Sequence, residues 1–295
     1  MDDIDEKIIG LLEVDGRLAF GDIARTINLS RPAVAERTRR LIANGQLNIR
    51  GAVHPAVLGQ SYLGYAALEI TGPARPIAAA IAEHRDVPFV SVTTGPTPVV
   101  AEIRATSADT YLECVDWIRS VDGVRSATTL AYLSIVRDVV GPVGEVTTTV
   151  DRTDRTLLRH LQSDGRVSYV NLAAEVGLSP AGARRRVMAL IDSNVLRIGA
   201  VVRHSGHGPH VAMGAAVRLN GPRDHVENEL CGLASVIFVA RTIGNADFLI
   251  TIRGFSIAQL SHTTDEIRAI PGVQNVTAWA HLEIVKEAYS AQLID

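Results

Sequence analysis

Arginine is the residue type best placed to do chemistry in this chain, and it recurs in two related stretches. Residues 29–41 read LSRPAVAERTRRL and residues 178–190 read LSPAGARRRVMAL. A guanidinium is planar, always charged, and carries a fork of donors that fits phosphate and the major-groove edge of guanine. In the first stretch Val34, Thr38 and Leu41 share one side of a helix, as do Ala183, Val187 and Leu190 in the second. Ser30 and Ser179 stand where a cap belongs, with Pro32 and Pro180 in the first turn. A capped basic helix, buried along one edge and open on the other, is what a helix-turn-helix protein lays in the major groove of double-stranded DNA. The residues expected at that surface are Ser30, Arg31, Pro32, Glu36, Arg37, Arg39 and Arg40, and then Ser179, Arg184, Arg185 and Arg186.

The two stretches differ in charge. Glu36 occupies the position that Arg185 holds in the second copy. Residues 1–50 carry eight basic and eight acidic side chains, whereas residues 150–199 carry eight basic and five acidic. The second head is therefore expected to supply more of the sequence-independent attraction for DNA. The whole chain has a formal charge of −3, so any basic surface must be local.

What positions these helices is a duplication. Asp5 matches Asp154, 149 residues on, and the same offset pairs Asp15-Gly16-Arg17 with Asp164-Gly165-Arg166, Phe89-Val90 with Phe238-Val239, and Ile135-Val136 with Ile284-Val285. No gap is needed across two changes of periodicity. In each copy about fifty residues read as three helices, the first ending at an Asp-Gly turn, followed by an alternating segment (47–53 and 196–202). Asn28 and its counterpart Gly177 suit a left-handed turn before the third helix. The rest reads β-α-β-β-α-β, with strands expected at 63–70, 89–94, 99–104 and 126–136, and again at 211–219, 238–243, 248–253 and 275–285.

The expected fold class is α+β. Two winged helix-turn-helix domains (1–54 and 150–204) alternate with two ferredoxin-like βαββαβ sandwiches (61–140 and 210–295), joined by a polar linker at 141–149. The exposed apolar face of each sheet needs covering, and the sister sheet is the nearest candidate.

In this order the motifs resemble the feast/famine regulators, the leucine-responsive (Lrp)/AsnC transcription factors. The resemblance is carried by DEKIIGLL at 5–12, Asp15-Gly16-Arg17, the Leu-Ser start of the third helix, Gly244-Asn245-Ala246-Asp247-Phe248 and Pro271-Gly272-Val273. Ordinary members hold one such unit per chain, so this chain resembles a fused, two-unit member. The resemblance implies a transcriptional regulator that is not an enzyme, needs no cofactor and self-associates into a homo-oligomer. It also implies a small effector, usually an amino acid, held near the Gly-x-x-Asp turn. Gly244, Asn245, Asp247 and Phe248 are the residues expected there: amides of a glycine turn can hold a carboxylate, and the acid can hold an ammonium. A hairpin turn with a capping Asp would use the same residues. The first copy has Pro98 where the acid should stand, so its pocket is expected to be altered or lost.

Sirohaem decarboxylases use a similar scaffold with pocket histidines and arginines for a tetrapyrrole. Here His84 and His281 are not counterparts under the duplication. His204, His207 and His210 fall at three-residue intervals but lack an acidic or thiol neighbour, so a solvated hinge is expected in place of a metal site. Cys114 and Cys231 have no metal-type spacing, and no hydrolase triad, P-loop or dinucleotide fingerprint is present. The acidic N-terminus resembles no secretory signal and no run is long enough to span a bilayer, so a cytoplasmic protein without membrane contact is expected.

Overall fold

A computed structural model describes residues 2–202 and 211–289. The first copy runs α1 (Asp3–Val14), α2 (Phe20–Thr26), α3 (Arg31–Ala43), β1 (Leu47–Val53), a single 3-10 turn, β2 (Tyr62–Ile70), α4 (Ala74–Ala82), β3 (Phe89–Thr93), β4 (Val99–Ala105), α5 (Ala108–Ser120) and β5 (Val124–Asp138). The second repeats it as α6 (Arg152–Ser163), α7 (Tyr169–Val176), α8 (Pro180–Asp192), β6 (Leu196–Val202), β7 (Val211–Leu219), α9 (Arg223–Gly232), β8 (Val236–Ile243), β9 (Phe248–Gly254), α10 (Ile257–Ala269) and β10 (Val273–Glu287). These elements form two compact units, each drawing on both copies: residues up to 58 with 139–202, and 59–138 with 211–289.

In the first unit the helix starts follow from capping. Asp2 and Asp5 form a capping box at α1, and Asp151 and Asp154 repeat it at α6. Ser30 and Ser179 accept from the amides of Ala33 and Gly182, and Asn28 (φ 55°) and Gly177 (φ 65°) make the left-handed turns ahead of α3 and α8. The two heads then share one apolar core. Ile8, Leu12, Val34 and Leu41 pack in the same cluster as Leu157, Leu161, Val187 and Leu190. Leu12 and Leu161 are fully buried, and each such side chain contributes about 1.5–3 kcal/mol relative to exposure. The cluster is closed by an antiparallel β1–β6 ribbon, from Leu47 opposite Val202 to Val53 opposite Leu196. Helix α1 packs on β6 and α6 on β1, so each head leans on the other's strand.

The second unit is a closed eight-stranded ring. Each copy forms a four-stranded sheet in the ferredoxin-like order, β3-β4-β2-β5 and β8-β9-β7-β10. β5 then pairs with β8, and β10 with β3, so neither sheet has a free edge. That second pairing is why β5 and β10 run longer than their alternation indicates: each leaves its own sheet and continues on its sister's. Both are bulged where they cross, at Leu133 and Leu282. Helices α4 and α5 cover the outer face of one sheet, α9 and α10 that of the other. The inner faces meet through Tyr65, Val100, Leu130 and Leu249, so the sister sheet does provide the cover.

Candidate nucleic-acid interface and effector site

Helices α3 and α8 bury the expected edges: Val34, Thr38 and Leu41, and Ala183, Val187 and Leu190. Ser30, Arg31, Pro32, Glu36, Arg39 and Arg40 are exposed, as are Ser179, Arg184 and Arg185. Arg37 and Arg186 are employed differently. Arg37 donates to Asp2 at 2.7 Å and to Asp5 at 2.8 Å; Arg186 donates to Asp151 at 2.7 Å and to Asp154 at 2.8 Å. Both therefore tie the third helix to the capping box of the first. The hydrogen bond from Arg37 holds the Asp2 carboxyl below its ordinary range, and the Asp154 amide, with Arg186, does the same for Asp151.

Two further arginines late in α3 are also engaged. Arg40 reaches Asp5 at 3.0 Å, and Arg39 pairs with Glu36 one turn away. In the second head Arg184 and Arg185 have no acidic partner among the described residues. The charge difference counted in sequence thus becomes a difference in available guanidinium groups.

The Asp-Gly-Arg turns have a role that periodicity did not reveal. Arg17 donates to the carbonyls of Gly165 and Val167, both at 2.9 Å, and lies 4.3 Å from the Tyr169 ring centre. Arg166 returns this to Gly16 (2.9 Å) and Leu18 (3.2 Å) and stacks over Phe20. The glycine amides bond across to the ribbon, Gly16 to Ile198 and Gly165 to Ile49. A Cβ at Gly16 would stand 3.0 Å from the Gly199 amide nitrogen, so a larger residue there would press on the ribbon. The sequence signal was the repetition of the tripeptide itself.

In the second unit Gly244 (φ 139°) turns the chain between β8 and β9. Asp247 accepts from the Leu219 amide at 2.8 Å and from Arg223 at 3.2 Å, so its carboxylate closes the turn onto β7 and pairs with α9. Phe248 is fully buried in the core beneath α9 and α10, where it packs under the turn. The first copy has Pro98 and Ala74 at the positions of Asp247 and Arg223, so acid and partner are absent together. Its turn keeps its backbone form: Thr93 bonds the Pro98 carbonyl as Thr242 bonds that of Asp247.

Between these two turns lies a cavity of about 370 Å³. Gly95, Pro96 and Thr97 line it from one copy, Asn245 and Ala246 from the other, over a wall of Tyr65, Leu130 and Trp279. Arg218 stands at its edge, donating twice to the Asn245 carbonyl. Sequence reasoning passed over Arg218, a lone charge ending an apolar strand.

Deeper in the ring Glu102 and Arg104 form a buried pair at 2.6 Å, with Arg104 stacked on Tyr289. Burial raises the Glu102 carboxyl despite the pull of Arg104. Their signal was the E-x-R alternation within VVAEIRA. His84 packs on Trp117 beside Cys114, whereas His281 bonds Ser91, so these histidines serve different neighbourhoods. Among the described residues no group of His, Cys, Asp or Glu is arranged to hold a metal; His204, His207 and His210 lie outside them. No described helix is long and apolar enough to cross a membrane.

The AsnC-type helix-turn-helix domain matches residues 1–42 and again 150–191, and the Lrp/AsnC ligand binding domain matches residues 215–291. The HTH-type transcriptional regulator FL11 of Pyrococcus furiosus is 26% identical over 47% of this chain and 93% of its own length. The HTH-type transcriptional regulator LysM of Sulfurisphaera tokodaii is 25% identical over 46% of this chain and 96% of its own. The crystal structure of the siroheme decarboxylase NirDL superposes with a TM-score of 0.63 at 15% identity, covering 99% of this chain and 95% of that one. At that identity the likeness is one of fold. With matched segments spanning more than half its length and the helix-turn-helix present twice, the chain belongs to the Lrp/AsnC family.

Proposed function

We propose that this chain is a DNA-binding transcriptional regulator in which one polypeptide supplies both reading heads and a single effector-binding ring. One observation carries the reading: α3 and α8 present arginine-bearing, solvent-open faces from a shared core, related by the repeat. Early residues of such helices reach base edges and later ones phosphates. Arg31, Glu36, Arg39 and Arg40 would read one half-site, and Arg184 and Arg185 the other, with Ser30, Pro32 and Ser179 setting the helix starts. Arg37 and Arg186 hold those helices in place. The unlike faces favour an operator with unlike half-sites.

The effector region is the Gly244–Asn245 turn and the cavity beside it, with Asp247 shaping the turn. Further association of the chain into a homo-oligomer accords with the family, and sedimentation velocity measures it. A gel shift on DNA upstream of the chain's own gene, with and without a panel of amino acids and related acids, tests the central reading. Retarded DNA whose midpoint moves with one effector is expected; the absence of any retarded species overturns it.

The whole-chain superposition on a siroheme decarboxylase favours one second reading, an enzyme on the same scaffold. We read the chain as non-enzymatic because its paired arginines serve the heads and His84 and His281 have separate partners. A strong visible absorption band on adding sirohaem to the purified chain would reverse that.

A further inference from the structure

We propose that the cavity between the two turns takes one molecule per chain, a monocarboxylate on a flat apolar body, and that it rejects zwitterionic amino acids. The proposal rests on the reading of this unit as an effector sensor and specifies what it senses.

Size and shape come first. About 370 Å³ falls in the range of small-molecule sites and suits one compact ligand. Tyr65 and Trp279 lie with ring centres 5.6 Å apart and planes inclined by 31°, giving a broad aromatic wall beside Ala67 and Ala216. A planar apolar body is the natural complement to such a surface.

Charge decides the rest. Among the described residues lining the cavity there is one formal charge, Arg218, and no carboxylate. Its Nε and Nη2 are fixed on the Asn245 carbonyl at 3.2 and 2.9 Å, which orients the guanidinium and leaves its other N–H groups for an acidic ligand. An α-ammonium would need an acid. Asp247, the acid expected from sequence, does not line the cavity, and both of its oxygens are occupied by the Leu219 amide and Arg223. Burying an unpaired ammonium beside Arg218 would be costly. The threonines and Asn275 around the cavity supply neutral hydrogen bonds only.

Stoichiometry follows from the duplication. Ala67 and Ala216, and Thr128 and Thr277, are counterparts that face the same space, so the cavity straddles the boundary between the copies. Across that boundary the lining differs: Leu130 answers Trp279, and Tyr65 and Arg218 line the cavity whereas their counterparts Gly214 and Glu69 do not. One ligand orientation is thereby selected.

The test uses the full chain with Trp117→Phe, so that emission reports Trp279, and three probes that share a phenyl body: 3-phenylpropionate, phenylalanine and phenethylamine. Expected are one site per chain for 3-phenylpropionate, phenylalanine weaker by about tenfold, and no binding of phenethylamine, since Arg218 attracts the carboxylate and repels the ammonium. Arg218→Gln should lose about tenfold while Arg218→Lys retains part. Asn275→Asp, which places an acid on the rim, should reverse the order of the first two probes. Phenylalanine binding as tightly as 3-phenylpropionate, two sites per chain, or silence from all three probes overturns the proposal. A parallel gel shift separates the two readings. If DNA is retarded but the probes are silent, or if amino acids alter retardation identically in wild type and Arg218→Gln, the cavity assignment falls and the regulator stands.

Discussion

Arg50 lies opposite Gly199 in the β1–β6 ribbon, and Gly199 is the residue that the 149-residue repeat makes its own counterpart. A local two-fold axis therefore passes between them. The ring obeys the same rule: Tyr132 faces Thr242 at one seam, and their counterparts His281 and Thr93 face each other at the second. One chain reproduces the symmetry of a dimer, and the predictions below concern places where the copies agree or differ.

The two arginine clasps should be equivalent in stability. Gly16→Ala and Gly165→Ala each force a methyl against the ribbon, which costs about 1–3 kcal/mol as overpacking. Urea unfolding of the two variants should show matching losses, and a wild-type midpoint for either would mean the approach is not tight.

The capping-box arginines should govern acid stability. Asp2 and Asp151 have carboxyls held below their ordinary range in the folded chain. A depressed carboxyl contributes stability above its unfolded pKa, about 3.9, and loses it as pH falls through the folded value. Thermal melts between pH 6 and about 2.5 should drop below roughly pH 4, and Arg186→Gln should lessen that drop by reducing the shift at Asp151, part of which the Asp154 amide maintains. Because these pairs are largely exposed, the effect is modest.

The DNA-binding faces should be unequal. Reversing charge at Arg184 and Arg185 should weaken binding more than the same change at Arg39 and Arg40, whose groups already answer Glu36 and Asp5. The slope of log affinity against log salt should fall by roughly 0.9 for each phosphate contact removed. Equal losses from the two heads would remove the asymmetry.

Much of this was legible because helical and strand periods are local. The offset of 149 gave the repeat, and the Val34-Thr38-Leu41 spacing gave the correct buried edge of α3. What lay beyond reading were contacts between copies. Asp15-Gly16-Arg17 reads as a turn because its partners stand about 150 residues away. Arg37 looks like a DNA contact because a helical wheel cannot show that Asp2 and Asp5 reach it. Phe248 follows a plausible site motif, yet strand alternation turns it toward the helix-covered core while Asp247 turns to Arg223.

That last pair should prove structural. Asp247→Ala removes the bonds to the Leu219 amide and Arg223, and hydrogen bonds to a charged group are worth about 1.5–3 kcal/mol, discounted here because the carboxylate is partly exposed. Urea titration should show the loss, while 3-phenylpropionate binding to the folded variant stays near wild type. Abolished binding with unchanged stability would return the acid to the ligand.

Inside the ring, Arg104→Met should leave Glu102 buried with only the Tyr289 hydroxyl as a partner and cost about 3–5 kcal/mol. Adding Glu102→Leu should recover much of that loss. A double variant as unstable as the single would show that packing, and not charge, sets the cost.

A mutation beside the axis of two identical chains strikes twice, and a bulky ring gained there collides with its own image. Tyr65 with Gly214 as its counterpart, and Trp279 lying over that glycine, is an arrangement identical subunits cannot form. Covalent joining released the centre of the ring from that veto, so selection could sculpt a lopsided chamber one substitution at a time.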